Sequence, residues 1–172
     1  MLNDPVPNRG GYWHIIWTTH GYLRPDDSRG DWSSLGCLYQ SVGSDIPVYY
    51  SRLLPKVWTP VELHSAHVSL SESARSQVVS DIKHLSTHDR IAGDMPVYAV
   101  SVQRTYVQLV VKCDFERLSQ KIGRLKSRTA TLLSFVRDNR VGGANTWAKG
   151  FWCAGFLDEA LQARVVQYVQ NV

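Results

Sequence analysis

Four basic side chains recur in the segment 117–128 at steps of four, three and four residues: Arg117, Lys121, Arg124 and Arg128. On an α-helix this spacing places all four in one row. Such a row can follow a nucleic-acid backbone, because each cation that contacts a phosphate releases bound counterions. A solvated helix face with a few ion pairs explains the same spacing. The pattern alone leaves both interpretations open.

The cysteines and histidines do not form a metal-binding or disulfide pattern. The cysteines are odd in number and isolated, at positions 37, 113 and 153, without a CxxC pair. The six histidines include only two close pairs, and neither has the spacing of metal ligands. Isolated cysteines are typical of proteins in a reducing cytoplasm. We therefore expect a cytoplasmic protein without a metal site.

The composition is that of an ordinary globular chain. With 172 residues, 44% of them hydrophobic and 20% charged, the chain is long enough for one domain spanning 1–172. It contains no apolar run near the roughly 18 residues of a membrane helix, and its first residues do not resemble a secretory signal. The net charge of +4 is compatible with nucleic-acid binding but is weak support for it.

Alternating apolar runs and helical periodicities predict the elements that would position these residues. Aromatic and β-branched residues predict a strand over 12–19, followed by a long, partly irregular insertion at about 20–65. Ser71 is a suitable N-cap for a helix that ends before Gly93. Two strands over 96–102 and 105–112, a helix after Asp114, a strand over 151–157 and a C-terminal helix follow.

The side-chain pattern within these elements indicates which faces are buried. In the second strand of the pair, Val107, Leu109 and Val111 share one face and Tyr106, Gln108 and Val110 share the other. The apolar stripe of the helix after Asp114 is predicted as Leu118, Ile122, Leu125, Leu132 and Val136, with Thr129 in the same line. The order of the elements predicts an α+β fold with helices on one face of an antiparallel sheet.

Several segments resemble the REP-associated tyrosine transposases, which are single-tyrosine HUH transposases. The segments are 12–23 (YWHIIWTTHGYL), 29–32 (RGDW), 125–130 (LKSRTA), 147–152 (WAKGFW) and 166–169 (VQYV). They span nearly the whole chain apart from the insertion. The resemblance implies a ferredoxin-like antiparallel sheet with helices packed on it, an insertion after the first strand, and a homodimer.

The resemblance also assigns roles to particular positions. Family members hold a divalent metal with a His-hydrophobic-His pair on a central strand, and a helix-borne tyrosine attacks single-stranded DNA. The matching strand positions here are Tyr106 and Gln108, so both histidines are absent, and the matching tyrosine is Tyr168. A further ligand often follows the tyrosine by four residues, which here is Val172. We therefore expect Tyr168 to be either a nucleophile or a tyrosine at the edge of the core.

Three functions are consistent with these residues. The first is recognition of structured single-stranded DNA, such as a hairpin, by a catalytically degenerate transposase-like domain without a metal, in which five side chains hold the backbone: Arg117, Lys121, Arg124, Lys126 and Arg128. The second is an active transposase that uses Tyr168 and atypical Mg²⁺ ligands, for which His14, Gln108 and Asp114 are the available types. The third is a protein-interaction module that no longer binds nucleic acid.

Overall fold

The folded part of the chain alternates strands with helices. A computed structural model describes residues 11–22, 32–40, 68–133, 146–156 and 159–172. Its elements in chain order are β1 (Gly11–Thr18), α1 (Ser33–Gln40), α2 (Glu72–His88), β2 (Val97–Val102), β3 (Tyr106–Cys113), α3 (Phe115–Leu133), β4 (Trp152–Phe156) and α4 (Glu159–Gln170). Within these ranges no helix is both long and apolar enough to cross a membrane.

The four strands form one antiparallel sheet in the order β2-β3-β1-β4. β1 therefore pairs on both edges, with β3 and with β4. Its aromatic and β-branched residues suit a strand in the middle of a sheet, because their side chains pack well on a pleated surface. The four predicted strands and the antiparallel α+β class are confirmed.

Helices cover both faces of the sheet, so the prediction that they lie on one face is wrong. On one face Trp13, Ile15 and Trp17 pack in a core with α2 and α3. On the other face Ile16 and Trp152 pack with α1, and Val110 packs with α4. We call this second face of the sheet the tyrosine face, after Tyr168 of α4. The signal for two covered faces was the nearly continuous apolar sequence of β1, since a strand with one solvated face alternates apolar and polar residues.

The helix α2 follows its predicted pattern. The Ser71 hydroxyl accepts a hydrogen bond from the Ala74 N–H at 3.2 Å, which satisfies one of the free backbone donors of the first turn. Ala74, Val78, Ile82 and Leu85 are all buried. The helix ends at His88, before Gly93, as the sequence predicted.

The buried stripe of α3 differs from the prediction near the end of the helix. Leu118, Ile122, Leu125 and Thr129 are buried as expected, but Leu133 is buried in place of Leu132, which is only partly covered. From Leu125 the buried row continues in steps of four, whereas the predicted row took a step of three to Leu132. Val136, the last predicted member, lies outside the described residues.

Substitution by alanine should destabilise the protein at one glycine and stabilise it at another. A Cβ at Gly155 of β4 would lie 2.6 Å from the ring of Trp13, whose indole N–H is fixed by a 3.0 Å hydrogen bond to the Cys113 carbonyl. Gly155→Ala should therefore lower the free energy of unfolding by about 1–3 kcal/mol. A Cβ at Gly123 of α3 meets nothing within 4 Å. Gly123→Ala should raise that free energy by about 0.5–1 kcal/mol.

Urea unfolding of the two variants beside the unsubstituted protein checks this pair. Both substitutions add the same methyl group, so the sign of the change depends on the surroundings alone. A Gly155→Ala protein as stable as the parent would show that Trp13 is not packed on β4 in this way.

Candidate functional site

Residues from five elements meet on the tyrosine face. Ile16 of β1 pairs with both Gln108 of β3 and Trp152 of β4, and His14 lies two residues along β1 on the same face of the sheet, diagonal to both of them. The ring of His14 lies 6.1 Å from that of Tyr168 of α4 and 5.9 Å from that of Tyr39 of α1. The structure therefore brings the predicted position Gln108 and the predicted tyrosine Tyr168 to one place.

His14 is the centre of a hydrogen-bonded network. Its Nε2 lies 2.8 Å from Gln108 Oε1, and its Nδ1 lies 2.6 Å from the Tyr39 hydroxyl. An amide oxygen only accepts hydrogen bonds, so this arrangement assigns the proton to Nε2. In the neutral ring Nδ1 then accepts from the Tyr39 hydroxyl. Both ring nitrogens are used within the protein.

Burial keeps this network uncharged. His14 is fully buried, and the loss of solvation lowers its pKa from 6.5 to about 4, although the bond to Gln108 opposes the shift. Burial also raises the pKa of Tyr39 well above 10, and the neighbouring Tyr168 and Cys153 add to that effect. The imidazole and the Tyr39 phenol are therefore both neutral at pH 7.

Tyr168 lies at the edge of this cluster. Its ring is partly buried against the cores on the tyrosine face, and its hydroxyl lies 3.0 Å from the exposed Ser34 hydroxyl of α1. Leu161 and Val165 of the same helix are buried, whereas Val172 is 44% exposed. Tyr168 thus has the placement of a tyrosine at the edge of the core. It also faces β3, the strand with the two positions that the resemblance matches to the metal-binding histidines, which we call the HUH-equivalent positions.

Tyr106, the other HUH-equivalent position, is partly buried at the start of β3. Its ring packs edge-on against Trp32, with centroids 5.0 Å apart. Burial raises the pKa of Tyr106, and the phenols of Tyr168 and Tyr22 act in the same direction, whereas the Gln108 amide opposes them. Within the described residues, the Gln108 Nε2 nonetheless has no partner with the geometry of a hydrogen bond. It is a buried and unsatisfied donor.

These donors do not suit a divalent metal. The one imidazole uses both nitrogens, and the Gln108 oxygen accepts from it. Among the residues of known placement no three His, Cys, Asp or Glu side chains could hold an ion together. Asp114, predicted as a third atypical ligand, follows the far end of β3, about 20 Å along the strand from Gln108. The set His14, Gln108 and Asp114 is therefore not assembled.

Two of the predicted backbone-binding cations have carbonyl partners within the protein. Lys126 donates to the carbonyls of Ala148 and Gly150, at 2.7 and 2.5 Å. Lys121 is buried and donates to the Gly93 carbonyl. The Trp147 indole also donates to Thr129 at 3.1 Å. The LKSRTA and WAKGFW segments therefore contact each other, with Lys126 and Thr129 fixing the chain that leads into β4.

The three arginines of α3 differ in their surroundings. Arg124 forms an ion pair with Asp89 at 3.2 Å, and this pair together with the Ala92 and Ile91 amides lowers the pKa of Asp89 to about 2. Arg128 is partly buried, and its Nε has no hydrogen-bond partner in the part of the chain that the structure describes. Arg117 is exposed and lines a cleft of about 570 Å³ together with Arg90. All five predicted cations belong to α3, which packs on the face opposite Tyr168.

Sequence reasoning missed several residues of the site. Tyr39 and Ser34 come from the insertion, whose contacts the sequence did not indicate. The sequence did not connect Trp152 with this site, and His14 was considered only as one of several possible ligands. Of the segment RGDW, Trp32 is described and residues 29–31 lie outside the described ranges. No local pattern pairs α1 with β1, because that contact depends on the tertiary packing of a separate segment.

No protein-family model, curated protein or solved structure matches the chain. The interpretation of the site therefore depends on its own residues and their geometry.

The buried neutral His14 predicts a dependence of stability on pH. The unfolded chain takes up a proton at this histidine below about pH 6.5, whereas the folded protein does so only near pH 4. The free energy of unfolding should therefore fall by about 2 kcal/mol as the pH drops from 6.5 to about 5. Asp89 contributes only at lower pH, because its folded pKa is about 2.

Urea unfolding between pH 7.5 and 5 measures this slope. His14→Gln should flatten it, because a neutral amide takes the place of the titrating ring. The matched control is His84→Gln, which removes an exposed histidine of α2 and should leave the slope unchanged. An unchanged slope in His14→Gln would rule out His14 as its source.

Proposed function

We propose that the protein is a transposase-like domain that binds structured single-stranded DNA, such as a hairpin, and does not cleave it. One observation carries the proposal: Gln108 and Tyr168, two of the three positions that the resemblance singles out, both lie beside a neutral His14. The third, Tyr106, lies near Tyr168 and Gln108. This proximity supports the match to the metal-holding positions and the nucleophile of the family, and the side chains found there can form hydrogen bonds and stack but supply neither a metal site nor a base.

The element order supports the ferredoxin-like part of this proposal. Strand, helix, strand, strand, helix and strand follow one another in β1, α2, β2, β3, α3 and β4, which is the order of a ferredoxin-like unit. In the sheet, β1 and β3 are central and β2 and β4 are at the edges. The segment that contains α1 follows β1, where the family resemblance expects an insertion. The homodimer implied by the same resemblance is part of the proposal.

The chemistry of the centre favours binding over cleavage. A tyrosine hydroxyl is a poor nucleophile unless a base or a cation activates it. The nearest imidazole, His14, is fully buried and donates its Nε2 proton to Gln108 while its Nδ1 accepts from Tyr39. The Tyr168 hydroxyl is instead within hydrogen-bond distance of another hydroxyl, that of Ser34. Neither contact provides a general base.

The phosphate contacts of this proposal remain with the basic residues of α3. Arg117 is the best placed of the five, because it is exposed and Arg90 lines the same cleft. Arg128 and Arg124 are partly exposed, whereas Lys121 and Lys126 would keep their carbonyl partners and contribute mainly through their charge. The bound DNA would then reach from the tyrosine face to the cleft at the start of α3.

A binding and cleavage assay on one set of samples tests the proposal. Labelled hairpin DNA with single-stranded flanks is incubated with the protein in Mg²⁺, in Mn²⁺ and in EDTA, and with the Tyr168→Phe variant. We expect a shifted band on a native gel in all conditions and no denaturant-resistant adduct. Tyr168→Phe should bind within about threefold of the parent, because it keeps the ring and loses one exposed hydrogen bond.

The other outcomes identify the alternatives. A metal-dependent adduct that disappears in Tyr168→Phe would make the protein an active transposase. The absence of any shift, at low salt as well, would contradict DNA binding and favour a protein partner. Affinity should also fall with added salt, since phosphate contacts release counterions.

A further inference from the structure

Four partly exposed aromatic residues surround the HUH-equivalent end of β3. They are Tyr22, Trp32, Tyr106 and Tyr168, and we call them the aromatic rim. Trp32 packs edge-on against Tyr106, with ring centroids 5.0 Å apart. Tyr22 is adjacent because its carbonyl accepts a 3.1 Å hydrogen bond from Thr18, whose backbone pairs with Tyr106.

The rim contrasts with the aromatic residues of the core. Trp13 and Trp17 are fully buried, and Trp147 and Trp152 nearly so. These four tryptophans contribute to packing and present no face to a ligand. The rim residues lie between the core and solvent, where large rings with polar tips can also contact a partner.

Neutral hydrogen-bonding groups lie beside the rim. The Tyr168 and Ser34 hydroxyls lie 3.0 Å apart at the surface. Behind Tyr106, the Gln108 amide has a buried Nε2 donor that has no partner among the described residues. A phosphate would be attracted by cations, whereas uncharged donors and aromatic faces suit a nucleobase, which offers a π-face for stacking and polar edges for hydrogen bonds.

We propose that the aromatic rim is a binding site for one unpaired nucleobase, which stacks on the ring of Tyr106 beside Trp32 and is contacted at its edge by the Tyr168 hydroxyl. The proposal rests on the proposed function, since it assigns the part of the DNA that the degenerate centre would hold. The base occupies the place that the resemblance gives to a scissile phosphate and its metal.

The test combines protein variants with abasic DNA. Hairpins that carry a single abasic site at each position of the flanking strands in turn are titrated by fluorescence anisotropy. For the unsubstituted protein, one position should weaken binding by about 5- to 150-fold, the range for loss of one stacked base. Tyr106→Ala should weaken binding of the intact hairpin by a similar factor, and the abasic site should then cause no further loss.

Two controls separate stacking from folding and from charge. Tyr106→Phe keeps the ring and should bind nearly as well as the parent. Tyr98→Ala removes another tyrosine from the same face, 40% exposed and packed on Tyr12 of β1, and should leave binding unchanged. The dependence of affinity on salt should be the same in all variants, because no phosphate contact is lost.

The outcomes distinguish this proposal from the proposed function. If the hairpin binds but no abasic position weakens it, or if the losses from Tyr106→Ala and the abasic site multiply, the base site is wrong and DNA binding stands. If the hairpin does not bind, the proposed function fails, and the rim is judged by NMR titration with free nucleosides. Shifts confined to Trp32, Tyr106 and Tyr168 would then support the base site, and their absence would overturn it.

Discussion

The structure depends on a central strand that is buried on both faces. From Trp13 to Thr18 every side chain of β1 is buried, so the strand cannot contain a charged group without a partner. His14 is the one polar residue in the middle of this strand, and its neutrality follows from that burial. Its two nitrogens join β3 through Gln108 and α1 through Tyr39. The packing of the sheet therefore determines both the shape and the charge of the site.

The row of cations on α3 illustrates how one spacing can have two causes. Cations at steps of three and four follow one side of a helix, whether that side contacts DNA or the rest of the protein. Here Lys126 and Thr129 secure the chain between 147 and 150, and Arg124 neutralises Asp89 at the end of α2. These contacts explain why LKSRTA and WAKGFW occur together, since each segment completes the hydrogen bonds of the other.

The sequence predicted the strands, α2, most of α3 and the antiparallel sheet, because each has a strong local signal. Ser71 caps α2 as its side-chain chemistry predicts. The errors concern relations between distant segments. The helices on the second face were not foreseen because α4 could have packed on either side. Tyr39 could not be assigned to the site, since its hydrogen-bond partner His14 lies 25 residues earlier in the chain and the insertion between them has no periodicity.

Under the proposed function, a centre of this kind would separate two components of nucleic-acid recognition. Attraction to phosphate requires charge, and the exposed arginines Arg117 and Arg90 lie at the start of α3 and before β2. Preference for particular DNA structures requires contacts with bases, and the neutral rings lie on the tyrosine face. In a metal-dependent transposase one centre binds the scissile phosphate. If Tyr106 and Gln108 stand in the histidine positions, as we propose, neither side chain supplies a charge with which to hold a phosphate, and stacking and hydrogen bonding are what they can provide. Added salt should then weaken the phosphate contacts at the arginines, whereas a change of base should alter the contacts on the tyrosine face.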